Sequence, residues 1–191
     1  MRGWLSFVGV VLAATGAGSS TAYPDLHGTV RAGTRVEPDA VVWLDASAAV
    51  SVQPARVVLD QRNTTFSPRV LAVRVGTTVE FPNNDRVFHN VFSFHNGKRF
   101  DLGLYPVGTV KRVTFDHPGL SRIFCNIHPN MAAYIMVVDS PYLAVSDARG
   151  EFVMSAVEPK SYTYHAWRPG RSELTGTVLV EAGAAVRVDW P

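Results

Sequence analysis

Arg122-Ile-Phe-Cys125-Asn126-Ile127-His128-Pro129-Asn130-Met131-Ala-Ala-Tyr-Ile-Met-Val-Val138 is the stretch around which the chain is organised. An apolar strand ends at Cys125, a short polar loop follows, and a further strand-like run, Ala133–Val138, includes a continuous apolar stretch from Ile135 to Val138 with the character of a buried strand. Upstream, Val57–Leu59, Val70–Val75, Thr77–Phe81, Val91–Phe94 and Thr109–Phe115 form further short strand-like runs. Turn residues punctuate them at Asn63-Thr64, Gly76, Asn83-Asn84-Asp85, Asn96-Gly97 and Pro118-Gly119. Short strands with regular turn punctuation, and no segment with helical period and caps, predict an all-β chain built on a β-sandwich. Phe100–Tyr105 has no clear pattern and is expected to be a long connection.

The loop also carries chemistry. It holds the chain's single cysteine, with His128 three residues on and Met131 three beyond that, while His89 lies upstream at a strand end. Singly these residues have ordinary structural readings, since free Cys and Met are most often packing residues. A structural zinc site is a weak match, because such sites want four N/S ligands and rarely use methionine. One thiolate, two imidazoles and one thioether form the donor set of a blue-copper centre, with methionine as the weak axial ligand. His89, Cys125, His128 and Met131 are therefore the candidate copper ligands. Pro129 removes a backbone donor directly after His128 and stiffens the loop. His27, His95 and His117 are expected to be surface residues, the last two flanking turns.

From about Val57 to Val138 the chain resembles the cupredoxin family. The resemblance is carried by Phe66-Ser-Pro, Gly76-Thr-Thr-Val-Glu-Phe-Pro-Asn-Asn-Asp85, His89-Asn-Val, Pro118-Gly119 and the Cys125–Met131 loop, which looks most like that of the amicyanin and pseudoazurin group. It implies a Greek-key sandwich holding one type 1 copper ion, with His89, Cys125 and His128 equatorial and Met131 axial. It also implies that Asn90 ties its strand to the ligand loop, that Asn126 and Pro129 border the ligands, and that His128 is the electron port. The function implied is that of a one-electron carrier, with a c-type cytochrome or periplasmic dehydrogenase as redox partner. A similar architecture is familiar in proteins labelled as methylamine-utilisation proteins. Catalysis is not expected, because a full ligand set leaves no open position for substrate. Copper storage or delivery with the same ligands is the alternative, and a structural or adhesion role is a third.

The ends of the chain add a second expectation. Arg2, the apolar run Trp4–Ala14 and the small residues up to Ala22 follow the order of a secretory signal peptide, with a mature start near Tyr23. That run is short for a membrane span, so residues 1–22 predict export, most simply to the periplasm, with no membrane span after cleavage. A lone thiol in an exported protein is a liability unless it is occupied, and copper ligation occupies it.

Strand-like runs at Gly28–Arg31 and Ala40–Leu44 precede the 55–138 cupredoxin-like segment, and five more follow it to Trp190. Asp147-Ala-Arg-Gly-Glu-Phe152 and Glu158-Pro-Lys-Ser-Tyr162 resemble carboxypeptidase-regulatory-like, transthyretin-type modules. Residues 23–54 and 139–191 are accordingly expected to form one discontinuous transthyretin/Ig-like sandwich into which residues 55–138 are inserted or beside which they pack; the alternative is that the N-terminal strands extend the cupredoxin-like sheet. Charge follows the same division. Residues 55–138 carry ten Lys/Arg against five Asp/Glu, a net +5, whereas each flank nets −2. The overall formal charge of +2 points to neither nucleic acid nor an anionic membrane as partner.

Overall fold

Three stretches, residues 23–46, 56–94 and 97–191, are described by the computed structural model. The expected signal peptide, most of the 46–54 linker and His95 lie outside the described residues. Every regular element among those described is a strand. The first three are β1 (Leu26–Ala32), β2 (Arg35–Val36) and β3 (Val41–Leu44). The central segment contributes β4 (Val57–Val58), β5 (Asp60–Arg62), β6 (Thr65–Ser67), β7 (Val70–Arg74), β8 (Thr77–Pro82), β9 (His89–Ser93), β10 (Phe100–Tyr105), β11 (Val110–Phe115), β12 (Gly119–Phe124) and β13 (Ala132–Val138). The C-terminal part adds β14 (Leu143–Val145), β15 (Glu151–Met154), β16 (Ser161–Trp167), β17 (Leu174–Leu179) and β18 (Ala185–Trp190).

The central strands make two main sheets, β10-β9-β12-β13-β7 and β11-β8-β4, with β5 and β6 as a hairpin beside them. Alternation decides what each strand buries. Ile123 on β12 and Ala133, Ile135 and Val137 on β13 point into a core with Val79, Phe81, Val91, Phe115, Leu59 and Tyr105. Cys125 and Met131 belong to the same cluster, so two candidate ligands are rooted in the core rather than hung from the surface.

Two local features depart from the expectation. Phe100–Tyr105 is a strand, pairing with β9 from Phe100↔Ser93 to Tyr105↔His89. Its pattern is hidden because the register shifts between Asp101 and Leu104, where Gly103 takes φ +64°. A bulge of this kind breaks the two-residue alternation by which a strand is recognised. The shift leaves Tyr105 buried behind His89. Asp60–Ser67, where only the Asn63-Thr64 turn is expected, forms a two-stranded hairpin. Its reversal at Asn63 and Thr64, both at positive φ, matches the primed turns that suit a two-residue hairpin loop.

The flanking strands pair only with one another among the described residues, in sheets β15-β1-β18 (with β2 on β1) and β14-β3-β16-β17. The first and last strands of the described chain lie parallel, His27↔Ala185 through Ala32↔Trp190. Their enclosed core, including Leu26, Val30, Val42, Leu44, Phe152, Tyr162, Val188 and Trp190, takes no residue from the central segment. A third cluster joins the two bodies: Val41 with Val70, Met136 and Val138, and around them Trp43, Tyr134, Leu143 and Trp167. The outward side chains of β13 are thus covered by the flanking strands, which explains why Ala133–Val138 is apolar at every position.

Candidate metal centre

His89 opens β9, and what positions it is the preceding loop. Asn83 is fully buried and replaces a missing strand partner: its Nδ2 donates to the carbonyls of Val87 (2.9 Å) and Tyr105 (3.2 Å), and its Oδ1 accepts from the Asp85 N–H (3.1 Å). Asp85 is thereby turned toward His89. Its Oδ2 accepts from the Thr64 N–H at 2.7 Å and lies 2.9 Å from His89 Nε2, while Oδ1 accepts from the Arg86 N–H at 2.7 Å. The Thr64 N–H is the main cause that holds this carboxyl down at about 2. Burial opposes it, and the Arg86 N–H and His89 add to it. Asp85 is a charged acceptor at neutral pH, so the network assigns the proton of His89 to Nε2 and leaves Nδ1 bare.

The Cys125–Met131 loop meets that nitrogen from the other side. His128 Nδ1 lies 3.1 Å from His89 Nδ1, and Cys125 Sγ lies 3.9 Å from His89 Nδ1 and 3.6 Å from His128 Nδ1. The three donor atoms all fall within 4.8 Å of one another. Bonds of about 2.0–2.1 Å from nitrogen and about 2.3 Å from sulfur span a trigonal plane whose edges are about 3.5–3.8 Å by the same bond lengths. The observed triangle fits a metal with little movement. Met131 is 1% exposed, and its N–H donates to the His128 carbonyl at 2.9 Å, closing the loop on itself. One thiolate, two imidazole nitrogens and a thioether constitute a type 1 copper donor set.

The residues bordering the ligands divide. Asn90 is buried, and its backbone N–H points at Cys125 Sγ at 3.5 Å. That contact links β9 to the ligand loop through the main chain, whereas the resemblance implied a side-chain tie. The Asn90 side chain instead donates to Asp101 Oδ1 at 2.7 Å, bracing the bulged strand β10. Asn126 and Pro129 are exposed on the outer side of the loop. His117 pairs with Asp116 at 2.8 Å on the surface, away from the donor triangle, and His27 is exposed on β1.

Sequence reasoning missed the support beneath the site. Gln61 Nε2 donates to Tyr105 Oη (2.6 Å) and the Pro82 carbonyl (2.9 Å), and Tyr105 Oη donates to the Phe81 carbonyl (3.1 Å). Burial pushes the Tyr105 hydroxyl pKa up, so it stays a neutral donor. These bonds tie β5, β8 and β10 together behind His89. The Asp85–His89 spacing of four residues was a usable signal, although outside a helix such spacing does not by itself bring side chains together. His128 is half-buried, and Val87 and Phe88 before His89 and Ile127 before His128 are apolar residues 43%, 52% and 48% exposed.

No protein-family profile matches the chain, and no curated protein does. Similar solved structures include a purple cupredoxin from Nitrosopumilus maritimus, with 26% identity over 43% of this chain and 99% of that one, at a TM-score of 0.40. A reduced amicyanin variant shares 22% identity over 51% of this chain and 98% of its own, at a TM-score of 0.42. A copper-containing nitrite reductase from Thermus scotoductus SA-01 shares 30% identity over 50% of this chain at a TM-score of 0.43, and the match spans 25% of that enzyme.

Proposed function

We propose that this chain holds one copper ion at His89, Cys125, His128 and Met131 and serves as an exported one-electron carrier, with a periplasmic redox protein as partner. The observation that carries the reading is the meeting of two Nδ1 atoms and one thiol sulfur, all within 4.8 Å, at the edge of a packed core. Copper bound there supplies a Cu(II)/Cu(I) couple.

What the chain contributes is rigidity and access. His89 is fully buried and Cys125 nearly so, and each is anchored by a second contact, Asp85 for the imidazole and the Asn90 N–H for the sulfur. Ligands held this way keep one geometry in both oxidation states, which lowers the reorganisation that electron transfer requires. An N–H directed at the sulfur also stabilises thiolate charge and tunes the couple. His128 is the electron port: it alone of the two imidazoles reaches solvent, beside the exposed apolar side chain of Ile127. The net +5 of residues 55–138 favours a partner surface rich in carboxylates. With four protein donors no coordination position is left for substrate, which favours a carrier over a catalyst.

Residues 23–54 and 139–191 are read as one sandwich interrupted by the copper-binding unit. Their strands pair with each other and share a core of their own, which supports the division. Among the described residues no helix is long and apolar enough to cross a membrane, and export rests on the N-terminal sequence alone.

The test is a titration of the purified protein with Cu(II), followed by visible absorption and EPR, with Cys125→Ser alongside. An intense thiolate-to-copper band, lost in the variant and bleached reversibly by a mild reductant, is expected. A colourless protein that binds Cu(I) tightly would transfer the site to copper storage or delivery. No copper binding at all would refute both.

A further inference from the structure

We infer that Asp85 is a positioning residue for the metal centre: held by the turn of the β5–β6 hairpin, it fixes His89 in the tautomer whose Nδ1 is free to ligate and places a fixed negative charge behind that ligand. The inference deepens the copper reading and rests on it for its metal-bound consequences, but the tautomer is a property of the protein itself.

Asp85 lies in a loop, yet its side chain is only 10% exposed, and all of its contacts are directional. Thr64 N–H and His89 Nε2 converge on Oδ2, and Arg86 N–H takes Oδ1. Two main-chain donors from two different segments fix where the carboxylate sits, so the imidazole must come to it. The hairpin is itself secured to the same loop. Asn84 N–H donates to the Gln61 carbonyl at 3.0 Å, and Asn84 Nδ2 donates to Asp60 Oδ1 at 2.8 Å. Thr64 adopts φ +53°, and the strand reversal there aims its N–H out of the hairpin and at Asp85. The hairpin, which gives Phe66 to the core, thus has a second task at the site.

The chemistry follows from the geometry. A neutral imidazole has one N–H and one lone pair, and a carboxylate can only accept. Asp85 therefore selects the Nε2–H form, and the lone pair faces His128 and Cys125. A negative charge beyond the imidazole raises its basicity and stabilises the more highly charged Cu(II) over Cu(I). His128 is different, since no carboxylate contacts its ring among the described residues. The two imidazoles are thus unequal: one is clamped and electron-rich, the other exposed.

The experiment uses the full exported chain, wild type, Asp85→Asn and Asp85→Ala, each confirmed as folded by circular dichroism. In the metal-free protein, long-range ¹H–¹⁵N correlation of the imidazoles should show His89 as the Nε2–H tautomer, and Asp85→Ala should mix the tautomers. Asp85→Asn keeps one acceptor oxygen for the Thr64 and His89 N–H groups, removes the charge, and gives up the acceptor that faces the Arg86 N–H. It should lower Cu(II) affinity by roughly 10- to 100-fold, the range for loss of a partner to a ligating histidine, and lower Cu(I) affinity by less. A wild-type His89 protonated at Nδ1, or a tautomer unchanged in Asp85→Ala, would overturn the inference whether or not copper binds. Equal losses of Cu(II) and Cu(I) affinity in folded Asp85→Asn would overturn the charge effect. Failure of the wild type to bind copper would instead overturn the proposed function and leave the tautomer result to stand or fall alone.

Discussion

The central strands and the flanking strands each enclose a core of their own and each bury polar side chains, but they use them differently. In the flanking body the buried polar groups mostly answer to main chain. Ser146 Oγ donates to the Glu37 carbonyl and accepts from the Ala40 N–H, and Ser140 Oγ donates to the Leu44 carbonyl. These are seams, satisfying backbone groups where strands turn away from a ladder. In the central body several buried polar groups, besides bonding main chain, also meet other side chains, as in Gln61 with Tyr105, Asn90 with Asp101, and His89 with both Asp85 and His128. They gather at the end where Cys125 lies. Side-chain pairs of this sort add less to folding than apolar residues of equal size, and they locate the site better than the exposed histidines do. Glu37 is the exception in the flanking body. It is fully buried and paired with Arg168, Arg171 and Arg35, an ionic knot distant in sequence from every ligand.

That contrast is breakable. Three tryptophans, Trp43, Trp167 and Trp190, lie in the flanking body, so fluorescence reports its unfolding while the copper band reports the centre. The largest effect is expected from Glu37→Gln, which strands the arginines and should destabilise the flanking body by about 3–5 kcal/mol. Urea unfolding followed by fluorescence would measure it, and a parallel loss of the copper band would show that the two bodies unfold as one. Trp167→Ala cuts into the joint where that ring meets Tyr134 at 5.6 Å. With the ring only partly buried, a loss of about 2–3 kcal/mol is expected, at or below the low end for a core tryptophan. Calorimetry should then show one transition becoming two.

Gln61→Leu acts on the other body. It removes the donor to Tyr105 Oη and the Pro82 carbonyl, for about 1–3 kcal/mol. It should broaden the copper EPR signal while fluorescence-detected unfolding stays near wild type.

The smallest effect is a pH dependence of the flanking body. Burial pulls the His165 pKa down, but Glu173 at 2.7 Å and Asp45 at 3.0 Å outweigh it and raise it above 6.5. A raised folded-state value means that the stabilisation is complete below about pH 6.5 and fades as pH climbs through the raised value. His165→Gln should flatten the fluorescence midpoint across that window. A midpoint that rises with pH in the wild type would reverse the assignment.

The all-β class, the positions of most strands and the four candidate donors were legible in the sequence. Alternation and turn residues are local signals, and Cys125, His128 and Met131 sit within one loop whose spacing survives folding. Phe100–Tyr105 was illegible because a bulge at Gly103 resets its alternation, and the bulge is meaningful only opposite β9. Asp85, Gln61 and Tyr105 were illegible as parts of a site for a related reason. Gln61 and Tyr105 act through contacts across 44 and 24 residues of chain, set by how sheets stack, and Asp85, although only four residues from His89, is placed by the Thr64 N–H from 21 residues away. By itself, then, the sequence determined which atoms could bind a metal and that strands would carry them. Tertiary structure alone decided which nitrogen of His89 faces the site, because that choice depends on a carboxylate held in place by a hairpin from elsewhere in the fold.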